Sequence, residues 1–520
     1  MKYSLPKENK EILLVPSLDK MKPLAESNRR LLNRIKIGKI PFLELRAKLH
    51  RQIFKACPRL RSGKGLSSTP IGEGVVVATG HQPTVSHPGI LFKEMVINAL
   101  MKREGWLGLN LVVDSDLAKP DILIPGKLVP DSDRGKEGHL SLEKMEAFGN
   151  RKDLSSTRIG DLAIEELSPP DRDSLNQKLA RIREKAGTSL GKENLEAFST
   201  YVAAANEALS SSKNLAEFLT ISKRIFVERL GFNHQEVFLS SVCRSQAFIY
   251  FFSLILTSPK YFASTYNKIL DEYRRERRIR NNLIPFPDLR IEDNIVELPF
   301  WIWGHKEERS TLYLRFDGKK TYLWQGLDVS QREVGSLSKI VEKGLQGYKL
   351  RPKALMLTFF ARLFLCDLWI HGIGGARYEE INDSLAKDFF LFALPEYAVA
   401  SATLHLNFNP DTDIKSLRDR ARRMKFHPEQ FLRASDEETK ILLKSKGRLL
   451  GKMRNSQDKK ELSKQLRMVN EKLRSRMTRE IQDLEKIILE KEKLLKIAAN
   501  REFPFFLFPL SDLKSLQNSL

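Results

Sequence analysis

Two short stretches of this chain gather residue types that can hold an anion or move a proton. The first is "TGHQPTVSHPGILFK", which sets Thr79, Gly80, His81, Gln82, His87 and Gly89 in a turn and Lys93 one turn into the helix that follows. Free N–H groups at a helix start, imidazole donors and an ammonium are the parts needed to hold a phosphate or carboxylate, or to stabilise charge that grows during a reaction. The simpler reading is a chain reversal made by Gly and Pro and capped by the histidines. The second stretch is "IHGIGGARYEEI", in which His371 leaves a strand, Gly372, Gly374 and Gly375 permit close backbone approach, and Arg377 can grip an oxyanion in bidentate fashion. Two such turns, each between a strand and a helix, resemble the two halves of a nucleotide-binding sheet that share one crevice. No GxxxxGK[ST], HExxH or Ser-His-Asp order occurs, and no metal site is assigned.

The elements that must carry these turns are legible around them. "VVVA" reads as a buried strand, "GILFKEMVINALMK" puts Phe92, Met95, Val96, Ala99 and Leu100 on one helical face, and "LGLNLVVDSD" is a second strand ending at Asp114 and Asp116. Residues 75–113 thus predict one βαβ unit of a parallel sheet, whose ligands belong beyond the carboxyl ends of the strands. There the two aspartates would act as base or ligand, or would cap the next segment; capping is the simpler role. From 117 to 348 the text turns to polar loops, a helical stretch (Ser174 to Phe232) and β-like runs such as "IVELPFWIWG" and "STLYLRF", an inserted region. Then "ALMLTFFARLFLCDLWI" predicts a buried helix running into a strand (Asp367 to Ile370), and the sheet resumes. From Asp436 to Asn500 apolar residues at Leu462, Leu466, Val469, Leu473, Met477, Ile481, Leu484 and Ile488 step by three or four, which predicts a coiled-coil arm, with "GKMRNSQDKKE" as the turn between two antiparallel helices. The ending "NREFPFFLFPL" is too apolar to hang free.

Composition bounds the rest. With 520 residues the chain holds several cores. The 88 Lys and Arg against 65 Asp and Glu give +23, which suits partners that are anionic metabolites, acidic lipids or nucleic acid. "YRRERRIR" and "KSLRDRARRMK" are the basic runs that could track a phosphate backbone, although solvated helix faces are the default. Cys57, Cys243 and Cys366 are widely spaced and odd in number, which argues against a disulfide framework and fits a reducing cytoplasm; Cys366, among apolar neighbours, is expected to be an inert buried thiol. No apolar run reaches the roughly 18 residues of a membrane span.

With these parts in order, "VVATGHQPTVSHPGILFKEMVI" resembles the TGQQ-x-G…GPLY…K segment of the BshC family, the cysteine-adding enzymes of bacillithiol biosynthesis, and "IHGIGGARYEEI" is similar to that family's later GGP-x-E-x-x-Y segment. The resemblance covers about half the chain. It implies an α/β fold: a Rossmann-like parallel-sheet core in two halves (1–116 and 349–412), a large α+β insertion (117–348), a C-terminal α-helical coiled-coil hairpin (413–500) and a last segment (501–520) folded back on the core. It also implies a bacterial, cytoplasmic homodimer and a carbon–nitrogen ligase that joins cysteine to an amine acceptor such as glucosaminyl malate, with ATP and magnesium as candidate cofactors. Thr79, Gly80, Gln82, Lys93, Gly374, Gly375 and Glu379 correspond by position, whereas His81, His87 and Ala376 stand where the family has Gln, Gly and Pro. On this reading His81, His87, His371, Glu379 and Asp114 are the candidate catalytic residues. Thr79, Gly80, Gln82, Gly89, Lys93, Gly372, Gly374, Gly375 and Arg377 are the candidate binding residues. The contrasting readings are a basic RNA-binding protein without chemistry and a scaffold whose arm only dimerises.

Overall fold

The computed structural model describes residues 3–37, 41–56, 74–119, 121–131, 136–149, 161–326, 332–337, 345, 347–408, 414–432, 436–455 and 459–520. Cys57 lies outside them. A six-stranded sheet organises the core, and its strands come from the whole length of the chain: β1 (Ile12–Val15), β2 (Val76–His81), β3 (Leu107–Val112), then, after the hairpin β4 (Asp121–Asp131) and β5 (Lys136–Glu146), β6 (Gln235–Phe238). The antiparallel five-stranded sheet follows with β7 (Ile295–Gly304), β8 (Ser310–Asp317), β9 (Lys320–Gln325), β10 (Arg332–Ser336) and β11 (Tyr348–Pro352). The chain then returns to the main sheet with β12 (Leu368–His371) and β13 (Tyr397–Ala402).

The main sheet runs β1-β13-β12-β2-β3-β6, with only β1 antiparallel. Its order places β2 and β12 side by side although some 290 residues separate them: Thr79 Oγ1 donates to Ile370 O at 2.7 Å, and the amide of Asp367 donates to Val76 O at 2.7 Å. β6 corrects the expected boundary of the insertion, since a strand of the main sheet lies inside residues 117–348. Its four residues, QEVF, are too short to show a period.

Alternation along the strands divides the apolar side chains between two faces. Val76 and Ala78 pack with the helices Phe42–Ala56 and Gln246–Leu256 and with the five-stranded sheet; Val77 faces the helices Pro88–Glu104, Lys192–Ala208 and Leu215–Glu228. The chain's last segment completes this second face. Phe505, Phe506 and Phe508 are fully buried, Phe506 stacks on Tyr201 at 4.2 Å, and Phe505 N donates to Ser86 O at 2.9 Å. These contacts seat the tail against the first His-rich turn.

The expected helical arm is three helices, Glu437–Asn455, Lys459–Ser475 and Thr478–Ala498. Beyond the break at Arg476 the predicted apolar positions pack within the same chain: Met477, Ile481, Leu484 and Ile488 lie on Ala421 and Met424 of the helix Ile414–Phe426. Arg476, at the break, binds Asp436 at 3.1 Å. No helix among the described residues is long and apolar enough to cross a membrane.

Candidate functional site

The turn after β2 and the turn after β12 open into one cavity of about 460 Å³ at the carboxyl ends of these two neighbouring strands. Gly80, His81, Gln82, Gly89 and Lys93 line it from one turn, His371, Gly372, Gly374 and Gly375 from the other, and Ser115 and Asp116 from the end of β3. Its size lies within the usual range of small-molecule sites. A larger cleft of about 1880 Å³ lies elsewhere, lined by residues of mixed charge such as Glu276, Arg277, Glu380 and Lys387. The smaller cavity is the stronger candidate because strand ends, glycines and cations converge on it.

Lys93 lies at its floor, 6% exposed, and its ammonium donates to Gly80 O at 2.8 Å. Burial lowers its pKa to about 8, with Glu94 opposing that and Lys223 adding to it. Two further cations arrive from distant sequence. Arg309, after β7, stacks over Trp301 and donates to Ser115 O at 2.7 Å, while its buried Nε has no hydrogen-bond partner among the described residues. Arg501 reaches in because the C-terminal segment folds back, and it donates to Ala402 O and to the hydroxyls of Thr403 and Ser401. Neither arginine was expected from local pattern; each follows an unremarkable turn, and only the tertiary fold brings it to the strand ends.

His81 is half-buried, and its Nδ1 lies 3.0 Å from Gln82 O. A carbonyl only accepts, so Nδ1 carries the proton and Nε2 keeps its lone pair. Burial, followed by the nearby Lys93 charge, lowers this imidazole to about 4. Gln82 is turned aside, donating to Asp116 Oδ2 at 2.9 Å.

His371 is 4% exposed; its Nδ1 receives Trp369 Nε1 at 3.3 Å, and its Nε2 lies 3.2 Å from Glu379 Oε1. Burial pushes this imidazole down, against the pull of Glu379. Glu379, itself bound by Arg362, sits at about 2, the neighbouring His371 and Arg362 outweighing the upward push of burial. Nδ1 is thereby occupied and Nε2 is turned towards the Glu379 carboxylate, so His371 and Glu379 form a buried ion-pairing wall of the cavity. Gly375 is required here, since a Cβ would stand 2.8 Å from His371 Nδ1.

Four expected site residues lie elsewhere or are occupied. His87 is 1% exposed and caps the helix Pro88–Glu104: Nδ1 accepts from Gly89 N at 3.0 Å, Nε2 donates to Leu404 O at 3.0 Å, and the ring edge meets Phe508. Thr79 is spent on the β2–β12 stitch. Arg377 is exposed and lines the large cleft instead. Asp114 faces a separate cavity next to the first, where its carboxyl accepts from Ser240 N at 3.0 Å and is pushed up to about 7 by burial and by Glu165. That hydrogen bond reaches a distant segment and not the next one, so it is not the local cap expected. Gly89 remains at the crevice for a steric reason, because a Cβ would come within 2.0 Å of Ala402 O.

Beneath Lys93 lies a cluster that the sequence did not suggest. Glu94, His234 and Glu236 bring ligand atoms within 4.8 Å of one another, all fully buried. The Lys223 ammonium already bridges Glu94 and Glu236 at 2.7 and 3.0 Å. Asn98 fixes the histidine: its Oδ1 accepts from Asn233 N, so its Nδ2 donates to His234 Nδ1 at 2.8 Å and leaves the imidazole proton on Nε2, facing Glu94 at 3.1 Å. That tautomer offers no lone pair to a cation, and the group is a closed ion-pair network.

Several cations of the basic runs are engaged as well. Arg274 is 6% exposed and tied to Asp288 at 2.7 Å, Arg277 stacks on Tyr273, and Arg418 and Lys425 pair with Glu492 and Glu485. Cys243 and Cys366 are buried free thiols pushed well above their ordinary range by burial. His305 is exposed, while its neighbour Trp303 is buried and donates from Nε1 to Glu166. Comparison with protein-family models and with curated proteins finds no match for this chain.

Proposed function

We propose that the protein is a carbon–nitrogen ligase of the BshC type, which joins an amino acid, cysteine in that family, to an amine acceptor such as glucosaminyl malate. The observation that carries this reading is the shared crevice. Numbered in chain order, the parallel strands lie 5-4-1-2-3 across the sheet, and the order reverses between β2 and β12, where ligands of Rossmann-like sheets bind. Lys93, Arg309 and Arg501 meet at that reversal.

In this proposal the three cations hold a phosphate or carboxylate and offset negative charge as it develops on the acyl oxygen. The partnerless Arg309 Nε suits a polyanion such as ATP, whose phosphates these residues would hold; ATP supplies an activated acyl group when bound. Asp116 is already bound by Gln82, Arg309 and the Leu117 amide, so no magnesium ligand set is assigned. His81 takes the proton of the attacking amine on Nε2. An anion bound beside Lys93 offsets the charge that depresses this imidazole and so raises its basicity. Asp114 and His87 leave the catalytic set, and His371 with Glu379 positions the second turn.

A homodimer remains part of the proposal, on altered grounds. The seam residues from Met477 onward are covered within the chain, so a second copy would meet outward residues of the arm such as Met468, Ile487 and Leu489, 44–55% exposed. A cytoplasmic location is part of the proposal, supported by the free thiols of Cys243 and Cys366. The test is mass spectrometry of protein incubated with cysteine and glucosaminyl malate, with and without ATP and magnesium. A condensation product that disappears in Lys93→Met and falls sharply in His81→Ala is expected; no product from folded protein under any of these conditions overturns the ligase assignment.

A further inference from the structure

One strand along from the crevice, the carboxyl ends of β3 and β6 open into a second cavity of about 440 Å³, closed on its far side by β11. The segment Val113–Asp116 is the wall between the two: Val113, Ser115 and Asp116 face the crevice, and Asp114 faces the second cavity. The chemistry of this lining is divided. Asp114 is 2% exposed and holds Ser240 N, but forms no ion pair among the described residues. Lys213 and Arg244, also lining the cavity, form none among them either. Of the other charges, Arg351 grips Glu165 through two hydrogen bonds of 3.1 and 2.9 Å, Lys349 pairs with Glu166, and Glu217 accepts from the Lys213 amide at 2.9 Å but forms no ion pair among the described residues.

The groups without an ion-pair partner in this one small cavity, the carboxyls of Asp114 and Glu217 and the cations Lys213 and Arg244, are complementary to a ligand that carries both signs of charge. A simple dianion would meet Asp114, and a simple amine would meet Lys213 and Arg244. Burying either without compensation is costly. We infer that this cavity is a second ligand subsite for a small zwitterion, with its ammonium at Asp114 and its carboxylate at Lys213 and Arg244. The inference rests on the ligase reading only for its purpose, which is to bring an amino-acid-like ligand to the strand ends beside the crevice; as a binding site it stands alone.

Calorimetric titration tests it with L-serine, L-aspartate and L-cysteine as zwitterions, ethanolamine as the amine alone and succinate as the carboxylates alone. At least one zwitterion is expected to bind at least tenfold more tightly than ethanolamine and succinate, and Asp114→Asn and Arg244→Gln should each weaken it at least tenfold. Arg244 is exposed, so its variant keeps the fold and the comparison remains decisive if Asp114→Asn does not fold. Lys93→Met should leave this binding unchanged. No zwitterion binding, or binding that survives Arg244→Gln but is lost in Lys93→Met, overturns the subsite, and the latter result leaves the crevice reading standing. Zwitterion binding with the expected variant pattern, alongside a crevice that binds no anion, overturns the crevice reading instead.

Discussion

Replacing Lys223 with Met should destabilise the protein by several kcal/mol, with a characteristic pH dependence. The Lys223 ammonium, its side chain 13% exposed, lies 2.7 Å from Glu94 and 3.0 Å from Glu236 and is, among the described residues, the one Lys or Arg side chain paired with these carboxylates. Removing one partner of a buried ion pair costs about 3–5 kcal/mol, because the partner's charge stays buried. In a folding unit of 150–250 residues each kcal/mol moves the Tm by roughly 2–4 °C, so a drop of about 6–20 °C is expected near pH 7. The sign follows from the carboxylates. In the wild type, burial would raise the Glu94 pKa, but Lys223 and His234 hold it well below the usual range. Its stabilisation is therefore complete above the unfolded value of 4.5 and is lost as pH falls below it. In the variant, burial is opposed by His234 alone and raises the carboxyl, so the penalty is complete at high pH and relieved as the group protonates. The gap between the two proteins should be widest at pH 7–8 and close towards pH 5. Urea denaturation followed by circular dichroism across that range measures it. A loss below about 1 kcal/mol, or an equal loss at pH 5 and pH 8, would refute the reasoning.

Three further outcomes separate binding from architecture. His87→Ala should cost roughly 2–4 kcal/mol, from the lost cap and the orphaned Leu404 carbonyl, while anion affinity at the crevice stays within twofold; weakened affinity at unchanged stability would return His87 to the site. With the Lys93 pKa lowered to about 8, anion affinity should fall as pH rises through 8, when the ammonium deprotonates, and that dependence should vanish in Lys93→Met; titrations from pH 7 to 9.5 decide it. Phe506→Ala, which removes a fully buried ring stacked on Tyr201, should cost about 3–5 kcal/mol and loosen Arg501, read as faster amide exchange in residues 501–508.

The parts of the fold that local pattern encodes were legible in the sequence. Val76–His81, Pro88–Glu104 and Leu107–Val112 carry the periods of strand, helix and strand, with Pro opening the helix and Gly105, at φ 69°, closing it. The likeness of the two His/Gly turns also anticipated their convergence, because equivalent turns on neighbouring parallel strands must open to the same edge. Direction was less legible. A single short turn, Ile373–Ala376, separates Gly372 from Arg377 and sends that arginine to the far cleft, and the turn that follows β3 at Asp114–Asp116 breaks the alternation that would have put both aspartates on one face. Arg309 and Arg501 have no local signature, since what makes them site residues is where distant segments dock. The seam of the arm was visible, but not that the helix Ile414–Phe426 would cover part of it, and the break at Arg476 carries neither Gly nor Pro.

The central claim is that the crevice between the two turns binds an anion through Lys93, Arg309 and Arg501. Calorimetric titration of ATP with magnesium, pyrophosphate and inorganic phosphate into wild type and Lys93→Met at pH 7 tests it most directly. The account predicts saturable binding of at least one of these at a single site, weakened at least tenfold in the variant. Absence of saturable binding by all three, or equal affinity in the two folded proteins, would contradict it.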